Sequence, residues 1–303
     1  MKVAVVATVR NEAEHLPEFL ASMAAQWRSP DQLVIVDDGS TDDTRHILDR
    51  FALSSTIPTA IYHRLDDGGN RSLARNTGIG LAGDADVVAV ASAAEFGPDW
   101  LSELVAPIEG GKADVTGSAL HTVTRTTRDY AMALLTVYSP EQGSDAVFPC
   151  GFIAFRKDDW AALGGYREDL RTSEDTDFEC RLRERGLRMR FVRSAVARWR
   201  PGPLILRAVF DRFREYARTD AVARFKWREQ YFPTFFFYSW LAAMVVVELP
   251  LFTLPSLLAW LAFRSRKVIG AMLLRELPYV FAGVVAIDLG RMLGYIEGVS
   301  ERK

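Results

Sequence analysis

Cysteine is almost missing from this chain. Cys150 and Cys180 are the two in 303 residues. Two thiols cannot build a disulfide framework or a four-ligand zinc site. A reducing, cytosolic setting is the simpler expectation. Histidine is nearly as scarce, and His15, His46, His63 and His121 show no metal-ligand spacing. An excess of one charge is missing too. The net charge is −2, so no global basic field points to nucleic acid. No strand leads into a P-loop or a dinucleotide-binding glycine loop. Internal repeats and low-complexity segments are absent. The opening "MKVAVVATVRNE" does not fit a signal peptide, because its apolar run is short and Arg10 and Asn11 follow at once.

What is present is unevenly spread. Acids crowd residues 31–100 and 157–184, and bases crowd 181–228 and 264–267. The first 110 residues alternate strand and helix patterns. Val3–Val9 is a β-branched and alanine run, as in a strand buried on both faces. Leu16, Phe19, Leu20 and Met23 follow at helical spacing. "QLVIVDD", "AIYHR" and "DVVAVA" read as further strands. "STDDTRHILDRF" reads as a helix with Ser40 and Asp43 as a capping box. "SLARNTGIGLA" reads as another. The alternation predicts an α/β fold, a mostly parallel sheet with helices on both faces. Further on, "ADVTGSAL" and "GFIAFR" read as strands. "SEDTDFECRLRERG" reads as a helix capped by Ser173 and stopped by Gly186. "RMRFV" and "AVARW" read as two late strands.

The last third changes character. Residues 232–263 carry one charge, Glu248. That run exceeds the roughly 20 residues that one spanning helix needs, and Pro250 and Pro255 interrupt it. A second apolar stretch, 268–290, is broken by Arg275, Glu276 and Asp288. Basic residues flank the first run: Arg224, Lys226 and Arg228 before it, Arg264, Arg266 and Lys267 after it. Since positive residues prefer the cytosolic side, a hairpin with both ends cytosolic is one expectation. Two spanning helices, 234–262 and 268–290, are the second. A buried helical subdomain or a dimer interface is the bland alternative. Membrane association is the favoured reading.

The chemistry-bearing residues gather at predicted strand ends. Thr8, Arg10, Asn11 and Glu12 follow the first strand, and Asp37, Asp38, Gly39 and Ser40 the second. Adjacent strand ends can hold a nucleotide, with an acid taking base or ribose hydrogen bonds. Alone, "DDGST" reads equally as a turn and helix cap. Four segments taken together, "VVATVRNEAEHLPEFLASM", "VIVDDGSTDDT", "RSLARNTGIGLA" and "FRKDDWAALGGYREDLRTSEDTDFECRLRERG", resemble family 2 glycosyltransferases, in order, across roughly residues 1–201.

That resemblance implies the GT-A fold in residues 1–205, with a helical, membrane-associated region at 206–303. It implies a nucleotide-sugar donor and inverting transfer to an acceptor hydroxyl. Cell-envelope or surface glycan synthesis and a glycan or lipid-linked acceptor fit the apolar tail, at the cytoplasmic face of a membrane. The alternative is a degenerate, non-catalytic nucleotide- or glycan-binding module. By the resemblance, Thr8, Asn11, Glu12, Asp37 and Asp38 line the nucleoside pocket. Arg71 and Arg75 lie near the donor, and Asp175 is the general base beside Glu174. The dipole of the helix they open should keep Asp175 ionised. Phe148, Cys150 and Gly151 fall at the acceptor end. Arg198, Arg200, Arg214 and Arg218 are candidate phosphate ligands, or else a solvated or membrane-facing basic surface.

One segment departs from the family. Its members usually carry Asp-x-Asp at the end of the strand "VVAVA", holding a divalent cation across the diphosphate. Here Ala91, Ser92, Ala93 and Ala94 stand there, and Glu95 is the nearest acid. Either the reaction needs no tightly held metal, with arginines meeting the diphosphate charge, or Glu95 is the single ligand of a hydrated Mg²⁺ or Mn²⁺.

Overall fold

β1 (Val3–Val9) is buried at every residue but Thr8. It is the centre from which the fold grows. Around it come α1 (Leu16–Ala24), β2 (Gln32–Asp37), α2 (Thr44–Ser54), β3 (Thr59–His63), α3 (Arg71–Leu81) and β4 (Val87–Ala91). Then follow β5 (Glu95–Phe96), α4 (Trp100–Glu109), β6 (Val115–Thr122), α5 (Thr127–Thr136), β7 (Ile153–Arg156), α6 (Lys157–Ala162), α7 (Glu174–Glu184) and β8 (Met189–Trp199). The structure, a computed structural model, describes residues 1–64, 69–136, 151–170, 172–200, 205–222, 232–246, 250–265 and 277–301.

The strands form one mixed sheet in the order β3-β2-β1-β4-β7-β6-β8-β5. The first four are mutually parallel. β7 runs antiparallel to β4 and to β6, β8 is parallel to β6, and β5 is antiparallel to β8. Alternate residues of β1 feed two cores. Val3, Val5 and Ala7 pack with Leu16, Phe19, Leu48 and Trp100 from α1, α2 and α4. Ala4 and Val6 share a cluster with Ile79, Phe178 and Leu182 from α3 and α7. Helices therefore cover both faces, as in a GT-A fold. Gly78 brings α3 close, since a Cβ there would lie 2.6 Å from Val6 Cγ1. The run from Gly78 to Gly83 spells G-x-G-x-x-G, but most of it lies within α3. It opens no helix after a strand and is not a nucleotide loop.

Three expectations need correcting. α2 starts at Thr44 without a side-chain cap. Ser40 instead donates its N–H to Asp37 Oδ1 at 2.9 Å and accepts from Asn11 N–H at 2.9 Å, so the two loops claim it before the helix can. The two late strands are one, β8, with a register irregularity opposite Ser118 and Ala119. Ser173 precedes α7 in the left-handed region, φ 57°, and makes no side-chain cap bond. Gly186, φ 77°, follows that helix as expected.

The chain divides into two compact units, Met1–Val123 with Ser139–Arg200, and Thr124–Tyr138 with Pro201–Lys303. The second contains α5, α8 (Leu206–Val222), α9 (Phe232–Val246), α10 (Pro250–Ser265) and α11 (Leu277–Ser300). α9 and α10, of 15 and 16 residues, are the helices described where one span over 234–262 is expected. Each is roughly 22–24 Å long, short of the roughly 30 Å of a bilayer core. Among the described residues one helix, Pro278–Ser300, is long and apolar enough to cross. It packs along α8 through Gly290, Gly294 and Gly298, where any Cβ would strike the backbone of α8 at Phe210, Arg214 and Arg218. Arg214 Nε to Glu297 at 2.8 Å and Arg218 Nε to Glu301 at 2.9 Å flank that seam. Buried Asp288 accepts from Arg264 Nη2 at 2.7 Å and Trp260 Nε1 at 3.0 Å, clamping α10 to α11.

Candidate active site

The loops after β1 and β2 are zipped together by backbone N–H groups. Asn11 takes φ 54°, a left-handed conformation that asparagine tolerates. Its Oδ1 accepts from Thr41 N–H at 2.8 Å. Glu12 N–H donates to Thr44 Oγ1 at 2.9 Å, and Ala13 N–H to Asp42 at 3.2 Å. Asp37 is fully buried. Its oxygens take Ser40 N–H and His63 Nδ1 at 3.0 Å, and His63 Nε2 faces Asp49 at 2.9 Å. Asp37 thus braces the turn beside Asp38. Asp38 is 6% exposed, held by Arg64 on one oxygen and by Gly69 N–H at 2.9 Å on the other. Thr8 sits half-buried at the carboxyl end of β1, paired with Val36. Burial, with Asp42 adding to it, pushes Glu12 up to about 7, against the pull of Arg71.

A second wall comes from α3 and the segment before α7. Asn76 uses its whole amide. Nδ2 donates to Tyr166 O at 2.8 Å and Glu168 Oε1 at 2.9 Å, while Oδ1 accepts from Tyr166 N–H at 2.8 Å and Trp160 Nε1 at 3.1 Å. Gly165 sits at φ 74°, where a Cβ would lie 2.7 Å from Asn76 Oδ1. Glycine at 165 is the condition for that close approach. Arg75, 2% exposed, lies over the Tyr166 ring at 5.2 Å and donates to Glu174 Oε1 at 2.8 Å. Half-exposed Arg71 reaches the same oxygen at 3.3 Å. Arg75 thus braces Glu174 from within the core.

Glu174 and Asp175 open α7 with opposite tendencies. Burial works to raise Glu174, but Arg75 and Arg71 outweigh it and hold the carboxyl below its usual range. Asp175 is raised, first by burial and then by the charge of Glu174, against Arg75 and Arg71. Burial and the charge of Glu174 thus oppose the helix dipole, which favours the ionised form. Asp175 keeps partial exposure while Glu174 has none. Paired carboxyls pushed apart in this way are how sites assign one acid to structure and the other to proton transfer.

At the end of β4, Ala91, Ala93 and Ala94 are buried and Ser92 is half-buried. Gly151 lies beside Ser92, 3.9 Å from its Oγ by a virtual Cβ. Glu95 forms the two-residue strand β5 and pairs in register with Arg198 of β8, 3.7 Å away between charged atoms. Among the described residues no three His, Cys, Asp or Glu gather to hold a metal. The spelling Asp-x-Asp does occur at Asp84–Asp86, but at the amino end of β4, where both acids bond Lys2. Arg200 pairs with Glu18 at 2.6 Å. Arg214 and Arg218 belong to the second unit and pair there with Glu297 and Glu301. Phe148 and Cys150 lie outside the described residues. Sequence reasoning missed Arg64, His63 and Asn76. The first two stand next to the end of β3, a position that marks them only once β3 is known to neighbour β2.

The model of the family described as glycosyl transferase family 2 matches residues 4–165. No curated protein sequence matches the chain. Among solved structures, residues 1–349 of S. aureus TarS match with TM-score 0.53 and 15% identity, over 98% of this chain and 90% of that one. TarS in complex with UDP-GlcNAc matches with TM-score 0.54 and 14% identity, over 98% and 91%. The mannosyltransferase PcManGT from Pyrobaculum calidifontis, in complex with GDP-Man and Mn²⁺, matches with TM-score 0.57 and 19% identity, over 99% and 86%.

Proposed function

This chain belongs to glycosyl transferase family 2, and from that membership we propose inverting transfer of a sugar from a nucleotide-sugar donor to an acceptor hydroxyl, with Asp175 as general base. The observation that carries the assignment is the Glu174–Asp175 pair. One carboxyl is locked on two arginines, and its neighbour is pushed up and partly open. A base with a raised pKa binds a proton more firmly, and it must lie within hydrogen-bond reach of the hydroxyl it serves. Asp175 takes the acceptor proton as the acceptor oxygen bonds to the sugar C1. The bond from C1 to the diphosphate oxygen breaks on the opposite face, and its electron pair leaves with the nucleoside diphosphate.

Thr8, Asn11, Glu12, Asp37 and Asp38 are the proposed nucleoside wall, with Arg71 and Arg75 toward the donor. Gly151, beside Ser92, is proposed on the acceptor side. A nucleotide-sugar donor is supported by the UDP-GlcNAc and GDP-Man complexes of the structural neighbours. Membrane association is supported by the apolar helix Pro278–Ser300 and by Phe232, Phe236 and Trp240, exposed at four-residue spacing along α9. Contiguous exposed apolar surface marks interaction sites. A lipid-linked or membrane-proximal acceptor and a part in cell-envelope or surface glycan synthesis, at the cytoplasmic face, belong to the same proposal.

Asp175→Asn tests the assignment. Transfer should fall by roughly 10²–10⁴-fold, the usual worth of a general base, with donor KM little changed. Transfer at the wild-type rate would remove Asp175 from the role.

A further inference from the structure

The end of β4, where the family resemblance places a divalent cation, has few groups to hold one. Ala91, Ala93 and Ala94 offer no ligand oxygen from their side chains, and Ser92 offers one neutral hydroxyl. A hard cation wants several oxygen ligands with carboxylates among them. The one nearby carboxylate, Glu95, already faces a guanidinium, and an added cation would have to share the space with that positive charge. The residues present do not fit the metal.

They do fit an arginine in its place. β8 is parallel to β6, and β6 and β4 are both antiparallel to β7, so β8 and β4 end at the same edge of the sheet. Arg198 is the penultimate residue of β8, and ligands of open α/β sheets lie beyond such carboxyl ends. Its side chain is 46% exposed, and the 3.7 Å approach to Glu95 is too long for a hydrogen bond. By contrast, Arg71, Arg75 and Arg200 spend hydrogen bonds on Glu174 and Glu18. A guanidinium presents a planar set of donors matched to phosphate oxygens.

Resting on the family reading above, we propose that Arg198 meets the charge of the donor's diphosphate and that this site binds nucleoside diphosphate without a divalent cation. Glu95 is the counter-charge that holds Arg198 when no donor is bound.

The test is calorimetric titration of the full-length protein with UDP, GDP, uridine and guanosine, in EDTA and in MnCl₂. The wild type should bind one diphosphate with affinities within about twofold in the two buffers. Arg198→Gln should weaken that diphosphate roughly ten- to hundredfold, the worth of a charge-assisted hydrogen bond. It should leave the matching nucleoside unchanged, which a merely unfolded or distorted variant would not do. Arg198→Lys should recover part of the loss. Binding that requires Mn²⁺, and that Glu95→Gln abolishes, would make Glu95 a metal ligand and overturn the proposal. Diphosphate binding untouched by Arg198→Gln would overturn it alone. A wild type that binds none of the four probes would overturn the family-site reading and this inference together.

Discussion

Arg75 is buried between Tyr166 and Glu174, and that placement sets the cost of removing it. Arg75→Met would leave Glu174 charged in a buried site with only half-exposed Arg71 for company. Breaking such a pair costs about 3–5 kcal/mol. Thermal or urea unfolding should show a loss in that range, and Arg75→Met with Glu174→Gln should recover most of it. If the single variant were as stable as wild type, the buried pair would not be what holds the start of α7. Glu12 gives a pH signature. Its folded pKa, about 7, stands above its ordinary value, because burial favours the neutral acid. The associated stability is present below the unfolded pKa and is lost as pH rises through about 7. Glu12→Gln should therefore match wild type in Tm near pH 4 and exceed it increasingly between pH 5 and 8. A pH-independent Tm difference would contradict the shift.

Elements show where local pattern was sufficient and where it was not. β1, β2 and β4 were legible because they are buried on both faces and read as unbroken apolar runs. α1 was legible from Leu16, Phe19, Leu20 and Met23. The Ser40 cap was not, because the group that takes its hydroxyl, Asn11 N–H, comes from the loop after β1, 29 residues away. β5 is two residues long and exists through its pairing with β8, so no periodicity could announce it. The seam between α8 and α11 was equally hidden. Gly290, Gly294 and Gly298 acquire meaning once α8 lies against them. Gly294→Ala should drive a methyl into the backbone at Arg214 and cost roughly 1–3 kcal/mol, as overpacking does. Partial proteolysis should then cut the second unit while the first stays intact. Unchanged protease resistance would mean that the helices can part without cost. The resemblance pointed to the Glu174–Asp175 pair from sequence, but not to the opposed environments of its members, since Arg75 lies about a hundred residues away in the chain.

At the scale of the molecule, a mixed sheet brings residues from β1, β2, α3 and α7 to its carboxyl edge, while the second unit carries exposed aromatic and aliphatic surface on α9 and α10. Short α9 and α10, and an α11 seamed to the charged helix α8, favour attachment that detergent is needed to reverse. Expressed protein should sediment with membranes, resist carbonate and dissolve in mild detergent. Recovery in the soluble fraction would remove the membrane from the account. The central claim is the chemistry, and its stereochemistry reads it most directly. The measurement is the anomeric configuration of the product, followed by NMR, when the protein is given a panel of nucleotide sugars and acceptors. Release of a nucleoside diphosphate with inversion at C1, lost in Asp175→Asn, is the expected result. Retention at C1, or donor binding with no turnover from any nucleotide sugar, would contradict it.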